Sequence, residues 1–129
     1  MSAMSWCKDL RLKIKLNEPM KEHTTFKIGG PAEYFIEPRN PDELKSLLHS
    51  AKRLNMPVLV LGSGSNILVK DTRLKAIVLH LDSVFFRRVV FQDNHVYAAS
   101  GVALSRLISL AQKRGLSGLE FLAGIPGTL

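Results

Sequence analysis

The sequence predicts an α+β fold, a small parallel βαβ subdomain followed by an incomplete antiparallel α+β subdomain. Three observations predict it. A strand-like run, a capped amphipathic helix and a second apolar run succeed one another within residues 32–61. Two β-rich runs flank Asp93-Asn94, and a second amphipathic helix follows them. The change of pattern falls near Asp82, which divides the chain into an N-terminal arm (1–20), a first subdomain (21–82) and a second (83–129).

In the arm, Leu10, Leu12, Ile14 and Leu16 alternate with Asp9, Arg11, Lys13 and Lys15, the period of a half-buried strand or an extended arm. Met20 to Phe26 is polar and expected to be extended. Ala32 to Glu37 reads as the first strand, closed by Pro38 and Pro41. Asn40 can cap a helix there, with Pro41 suited to its first turn and Glu43 three residues after the cap. Leu44, Leu47, Leu48, Ala51 and Leu54 then share one helical stripe, and Asn55-Met56-Pro57 ends it. Val58–Leu61 follows as a strand, so the unit is βαβ with parallel strands. Ile67-Leu68-Val69 and Ala76–Leu79 read as further strands. In the second subdomain, Val84–Gln92 and His95–Ala99 form a hairpin about Asp93-Asn94. Leu104, Leu107, Ile108 and Ala111 then mark a helix that ends at Lys113-Arg114-Gly115.

The loop Gly62-Ser63-Gly64-Ser65-Asn66 sits between two apolar runs, at the carboxyl end of a parallel strand, where open α/β sheets bind ligands. Glycine and serine let a backbone turn tightly and aim several N–H groups at one anion. Two familiar phosphate motifs do not fit. A dinucleotide fingerprint needs a third glycine, and Ile67 stands in its place; a Walker A loop needs Gly-Lys-Ser/Thr, and here the loop ends Ser65-Asn66-Ile67. An anion here would meet backbone N–H groups and Ser and Asn side chains. An ordinary turn between buried strands is the alternative.

Composition narrows the classes. At 129 residues the chain is one domain or two small subdomains, and 46% hydrophobic with 22% charged residues is globular rather than disordered. A net charge of +7 suits an anionic ligand, but the basic residues are scattered rather than interleaved with aromatics, which argues against nucleic acid. Cys7 alone excludes an internal disulfide and suggests a reducing compartment. Without an apolar run near the length of a membrane span, and with charges where a signal peptide needs an apolar core, a cytoplasmic protein is expected. His23, His49, His80 and His95 pair with no Cys, Asp or Glu at ligand spacing, so no metal site is expected. The ending, Gly118 to Leu129, is apolar and glycine-rich where termini are usually polar, and looks like a loop cut mid-course.

Three ordered motifs carry a resemblance: His23-Thr24-Thr25-Phe26-Lys27-Ile28-Gly29-Gly30-Pro31-Ala32, then Leu61-Gly62-Ser63-Gly64-Ser65-Asn66, then Gly115-Leu116-Ser117-Gly118-Leu119-Glu120-Phe121-Leu122-Ala123-Gly124-Ile125-Pro126-Gly127-Thr128. Together they closely resemble the N-terminal part of the UDP-N-acetylenolpyruvoylglucosamine reductase (MurB) family, flavoenzymes of peptidoglycan precursor synthesis. Three motifs over nearly the whole chain make this specific. The second and third are also shared by the flavin-binding domains of the vanillyl-alcohol-oxidase and PCMH type.

The resemblance implies a two-subdomain FAD-binding fold of that type. It implies that Leu61, Gly62, Ser63, Gly64, Ser65 and Asn66 wrap the FAD pyrophosphate through backbone amides. Gly124, Ile125, Pro126, Gly127 and Thr128 would run along the flavin, with close backbone approach the reason for Gly124 and Gly127. For Thr24-Thr25 and Gly29-Gly30 it suggests a role in shaping the lead-in to the first strand, with direct cofactor contact the alternative. Complete family members pass hydride from NADPH to FAD and then to the enolpyruvyl double bond of UDP-N-acetylglucosamine enolpyruvate. A general-acid serine, a glutamate and an arginine serve that step. All three belong beyond the last motif present, so no catalytic residue is assigned here and the chain is expected to be inactive alone. The other readings are a flavin-binding or scaffold module completed by a partner chain or by self-association through unpaired strand edges, and another PCMH-type oxidase. Against the last, Cys7 lies far upstream of the loop and the histidines fit no flavin-attachment motif.

Overall fold

The computed structural model describes Trp6 and residues 12–129. A four-stranded mixed sheet holds β1 (Lys13–Pro19), β2 (Pro31–Glu37), β3 (Val58–Leu61) and β4 (Leu74–His80) in the spatial order β1-β2-β4-β3. Helix α1 (Pro41–Arg53) connects β2 to β3. A separate two-stranded sheet, β5 (Val89–Gln92) and β6 (His95–Ala98), precedes helix α2 (Leu104–Lys113).

The arm's alternating residues from Lys13 onward form an edge strand of this sheet, antiparallel to β2 from Lys13↔Glu37 to Pro19↔Pro31. Leu10 and Cys7 lie outside the described residues. The βαβ unit has the expected parallel sense, but β2 and β3 are not neighbours: β4 inserts between them and pairs parallel with both. Its Ala76, Ile77, Val78 and Leu79 are all buried, the uninterrupted apolar run that a strand covered on both faces requires.

Side-chain alternation divides the core. On one face Tyr34 and Ile36 of β2 and Ile77 and Leu79 of β4 pack on Leu47 and Ala51 of α1. Trp6 closes that face, its ring edge-on to Tyr34 at 5.4 Å between centroids. On the other face Phe35, Leu61 and Val78 pack with Met20 and Ala32. α1 begins as the sequence dictates. Asn40 Oδ1 accepts the Glu43 N–H at 2.9 Å, and Glu43 accepts the Arg39 backbone N–H at 2.7 Å. Both helices end in the same way. Asn55 and Gly115 take positive φ (51° and 67°), and the N–H groups of the two residues at each end return to the last-turn carbonyls.

Four local expectations are corrected. Met20–Glu22 is a turn of 3₁₀ helix rather than extended, and Phe85–Arg87 is another inside the run expected to be strand. Ile67-Leu68-Val69 is no strand. Only Val69 packs on the core, while Leu68 is exposed; apolarity invites a strand, but the neighbouring backbone bonds just beyond it, through Gly30 N–H to the Lys70 carbonyl at 2.9 Å, and no strand ladder forms. The buried stripe of α1 is also narrower than drawn, since Leu48 and Leu54 face solvent.

Leu47 is fully buried against the sheet, so Leu47→Ala is expected to cost about 2–5 kcal/mol of stability by denaturant unfolding. A loss under about 0.5 kcal/mol would mean that α1 does not cover the core.

Candidate functional site

The parallel strands β2, β4 and β3 end side by side at Glu37, His80 and Leu61. The chain leaves this edge from Leu61 into Gly62–Asn66. Among the described residues, none of the five backbone N–H groups from Gly62 to Asn66 donates a hydrogen bond to protein. A row of unspent N–H donors at the end of a parallel strand is a cradle for an anion.

The third motif folds onto this loop. Ser65 Oγ donates to the Pro126 carbonyl at 2.8 Å and lies 3.1 Å from Ser63 Oγ. A Cβ on Gly62 would stand 2.8 Å from Thr128 Oγ1. Thr128 in turn bridges Ala103, and Leu104 N–H donates to the Gly127 carbonyl at 3.0 Å, so α2 anchors the seam. Residues 61 positions apart thus form one surface. Gly124 (φ 84°) faces open space, as does Ile125 with half its surface exposed, whereas Gly127 has only a Leu104 methyl near its Cβ direction.

Gly64 requires a different explanation from backbone approach to a ligand. Its φ is 66°, and a Cβ would fall 1.9 Å from the His23 carbonyl oxygen. Its own carbonyl accepts the Thr25 N–H at 2.9 Å. Packing inside the protein therefore demands this glycine. The first motif shapes the same wall: Thr24 is buried with Oγ1 donating to the Ile28 carbonyl at 2.9 Å, and a Cβ on Gly30 would meet the Asp71 carbonyl at 2.2 Å.

Two clefts flank the loop and share Leu61, Gly62 and His80. One, of about 280 Å³, continues past Asp82, Ser100, Gly101 and Thr128. The other, of about 290 Å³, runs under Thr24, Thr25 and Lys27. Gly101 lets these walls meet, since a Cβ there would stand 1.9 Å from the Leu81 carbonyl.

Sequence reading missed His23 and His80. His80 Nδ1 lies 3.1 Å from Glu37 Oε1, and His23 Nε2 lies 2.8 Å from Glu18 Oε1. No spacing rule links these partners, which are 43 residues apart in the first pair. Burial pushes the Glu37 carboxyl up, but hydrogen bonds from Lys13 and His80 outweigh it and leave it below the usual carboxylate range. The Lys15 hydrogen bond holds Glu18 below that range against the cost of burial, and His23 adds to the effect. Among the described residues no group of three or more His, Cys, Asp or Glu side chains is placed to hold a metal ion.

Residues 32–129 match a family described as FAD binding domain. The chain belongs to that family. Its loop fits a flavin dinucleotide, whose pyrophosphate is the anion that five unspent N–H donors can accept. Curated relatives named UDP-N-acetylenolpyruvoylglucosamine reductase include that of Alkaliphilus oremlandii, 44% identical over 116 residues, and that of Moorella thermoacetica, 40% identical over 120 residues. These alignments cover 90% and 93% of this chain but only 38% and 39% of the relatives. Among solved structures, the reductase (MurB) of Thermus caldophilus superposes with a TM-score of 0.69 at 34% identity, over 92% of this chain and 39% of that one. A solvent-stable cholesterol oxidase superposes with a TM-score of 0.62 at 17% identity, over 81% of this chain and 20% of the oxidase, which extends the fold alone. The α+β architecture and the resemblance read from the three motifs are therefore those of this family.

Gly64→Ala is expected to lower the thermal midpoint in the absence of any ligand, because the new Cβ meets backbone; an unchanged midpoint would remove the His23 carbonyl as the reason for glycine. The depressed Glu37 and Glu18 contribute stability that is complete above the unfolded carboxylate value of 4.5 and is lost as pH falls below it. Urea unfolding at about pH 5 and about pH 3 should therefore show a smaller acid loss in Glu37→Gln than in the parent chain. An equal loss would show that Glu37 is as easily protonated in the folded as in the unfolded protein.

Proposed function

We propose that this chain is the FAD-binding part of a UDP-N-acetylenolpyruvoylglucosamine reductase, whose complete form reduces UDP-N-acetylglucosamine enolpyruvate to UDP-N-acetylmuramate with NADPH. The observation that carries the reading is the set of unspent N–H groups at Gly62–Asn66, closed against Pro126–Thr128 by Ser65. The relatives' names supply the reaction, and the chain spans about two fifths of their length.

In this reading Gly62, Ser63, Gly64, Ser65 and Asn66 hold the pyrophosphate through their amides. Leu61 fixes the start of the loop in the core, at 5% exposure. Gly124, Ile125, Pro126, Gly127 and Thr128 line the path of the flavin, where the open side of Gly124 admits close approach. FAD supplies the hydride-transfer chemistry when bound. This chain's residues bind and orient it, and we assign none of them as the proton donor to substrate. UDP-linked substrate and a lone cysteine both suit the bacterial cytoplasm.

A second reading, a flavin module completed by a partner strand or by a second copy, draws on the two-stranded sheet. Val90 and Tyr97 are exposed there, and a lone hairpin is marginal in water.

FAD titration of the purified chain, followed by flavin fluorescence and thermal midpoint, tests the proposal. Saturable binding is expected, with a gain of about 2.7 kcal/mol at a hundredfold excess over Kd. A folded chain that leaves the flavin signal and the midpoint unchanged would overturn the loop as a sufficient pyrophosphate cradle.

A further inference from the structure

The cleft under residues 22–27 holds two matched groups that the flavin reading does not use. Glu37 takes Lys13 Nζ on Oε2 at 2.7 Å and His80 on Oε1 at 3.1 Å. Glu18 takes Lys15 Nζ at 2.9 Å and His23 at 2.8 Å, both on Oε1. The two imidazoles stand 6.4 Å apart between centroids, both against Phe35: His23 stacks on its ring at 4.2 Å and His80 tilts against it at 5.6 Å.

Each carboxylate accepts a hydrogen bond from the imidazole nitrogen facing it, so that nitrogen carries the proton. The other nitrogens, Nδ1 of His23 and Nε2 of His80, have no protein partner among the described residues. In a neutral imidazole such a nitrogen is a lone-pair acceptor and repels an anion; in the protonated ring it becomes an N–H donor. The lysine beside each glutamate has already balanced the carboxylate. Each group therefore passes from net zero to net +1 as its imidazole takes up a proton. The other charged walls, Glu22 and Lys27, offset one another, and Asp82 sits with Arg87 (3.6 Å). Thr25 and Ser63 hydroxyls complete the lining.

We propose that this cleft is a second anion subsite, for a phosphate group, formed by His23, His80, Lys27, Thr25 and Ser63 and switched on by protonation of the two imidazoles. Binding strengthens as the two imidazoles take up protons, because each free nitrogen then turns from acceptor to donor.

Sulfate is the probe, since its charge does not change between about pH 5.5 and about pH 8. Calorimetric titration of the full chain should give roughly tenfold or greater tightening at the lower pH, and His23→Gln/His80→Gln should abolish the difference. NMR titration of the parent chain guards against a variant that fails to fold. Saturating sulfate must shift both histidine midpoints to higher pH, because a ligand that favours the protonated ring must stabilise it. Midpoints unmoved by sulfate, or equal sulfate affinity at both pH values, would overturn the subsite. Repeating the titration with FAD present identifies the occupant: competition assigns the cleft to a phosphate of the dinucleotide, and additive binding assigns it to a separate phosphate ligand. Failure of FAD binding with the sulfate response intact would overturn the flavin reading and leave the subsite standing.

Discussion

Strand β4 is the element on which the rest depends. It is hydrogen-bonded on both sides and buried on both faces, and it keeps β2 and β3 from pairing with each other. Because β4 pairs in register with β3 up to Leu61↔His80, the end of one strand and the start of the loop come level. The loop's position, the clefts beside it and the contact between two distant motifs all follow from that register. A slip of one residue would turn Ile77 and Leu79 away from α1 and carry His80 to the helix side.

Glycine serves two purposes at this edge. Gly64, Gly30 and Gly101 are required by neighbouring backbone, where a Cβ would come within 1.9 to 2.2 Å of a carbonyl oxygen. Gly124 faces open space at positive φ, so its requirement is conformational and its open side faces outward. A glycine-rich stretch is thus partly a packing device that draws the 22–27 segment over the sheet edge, and partly backbone left open at the surface. Only coordinates separate the two, because both look alike in sequence.

Charge on the open face of the sheet is organised rather than scattered. Lys13, Lys15, Glu18 and Glu37 lie on β1 and β2, and their pairing with His23 and His80 wraps polar groups around the buried Phe35 ring. Such pairs stabilise the fold modestly at a partly exposed site, and their larger effect is to fix which nitrogen of each imidazole is spent on a carboxylate.

The sequence by itself determined the local elements whose causes are local. The Asn40 cap with Glu43, the two positive-φ helix ends at Asn55 and Gly115, the Asp93-Asn94 hairpin and the both-faces-buried run of β4 are each written within a few residues. Three ordered motifs also named the family. Tertiary structure decided what depends on who stands beside whom. It ordered the strands β1-β2-β4-β3, left Ile67-Leu68-Val69 without a partner strand, and joined Ser65 to Pro126. It also brought Glu18 and Glu37 to the two histidines. Hydrogen-bond partners across a sheet are set by register and topology, which no short-range pattern encodes, and so the chemistry of the cleft was invisible until the strands were in place.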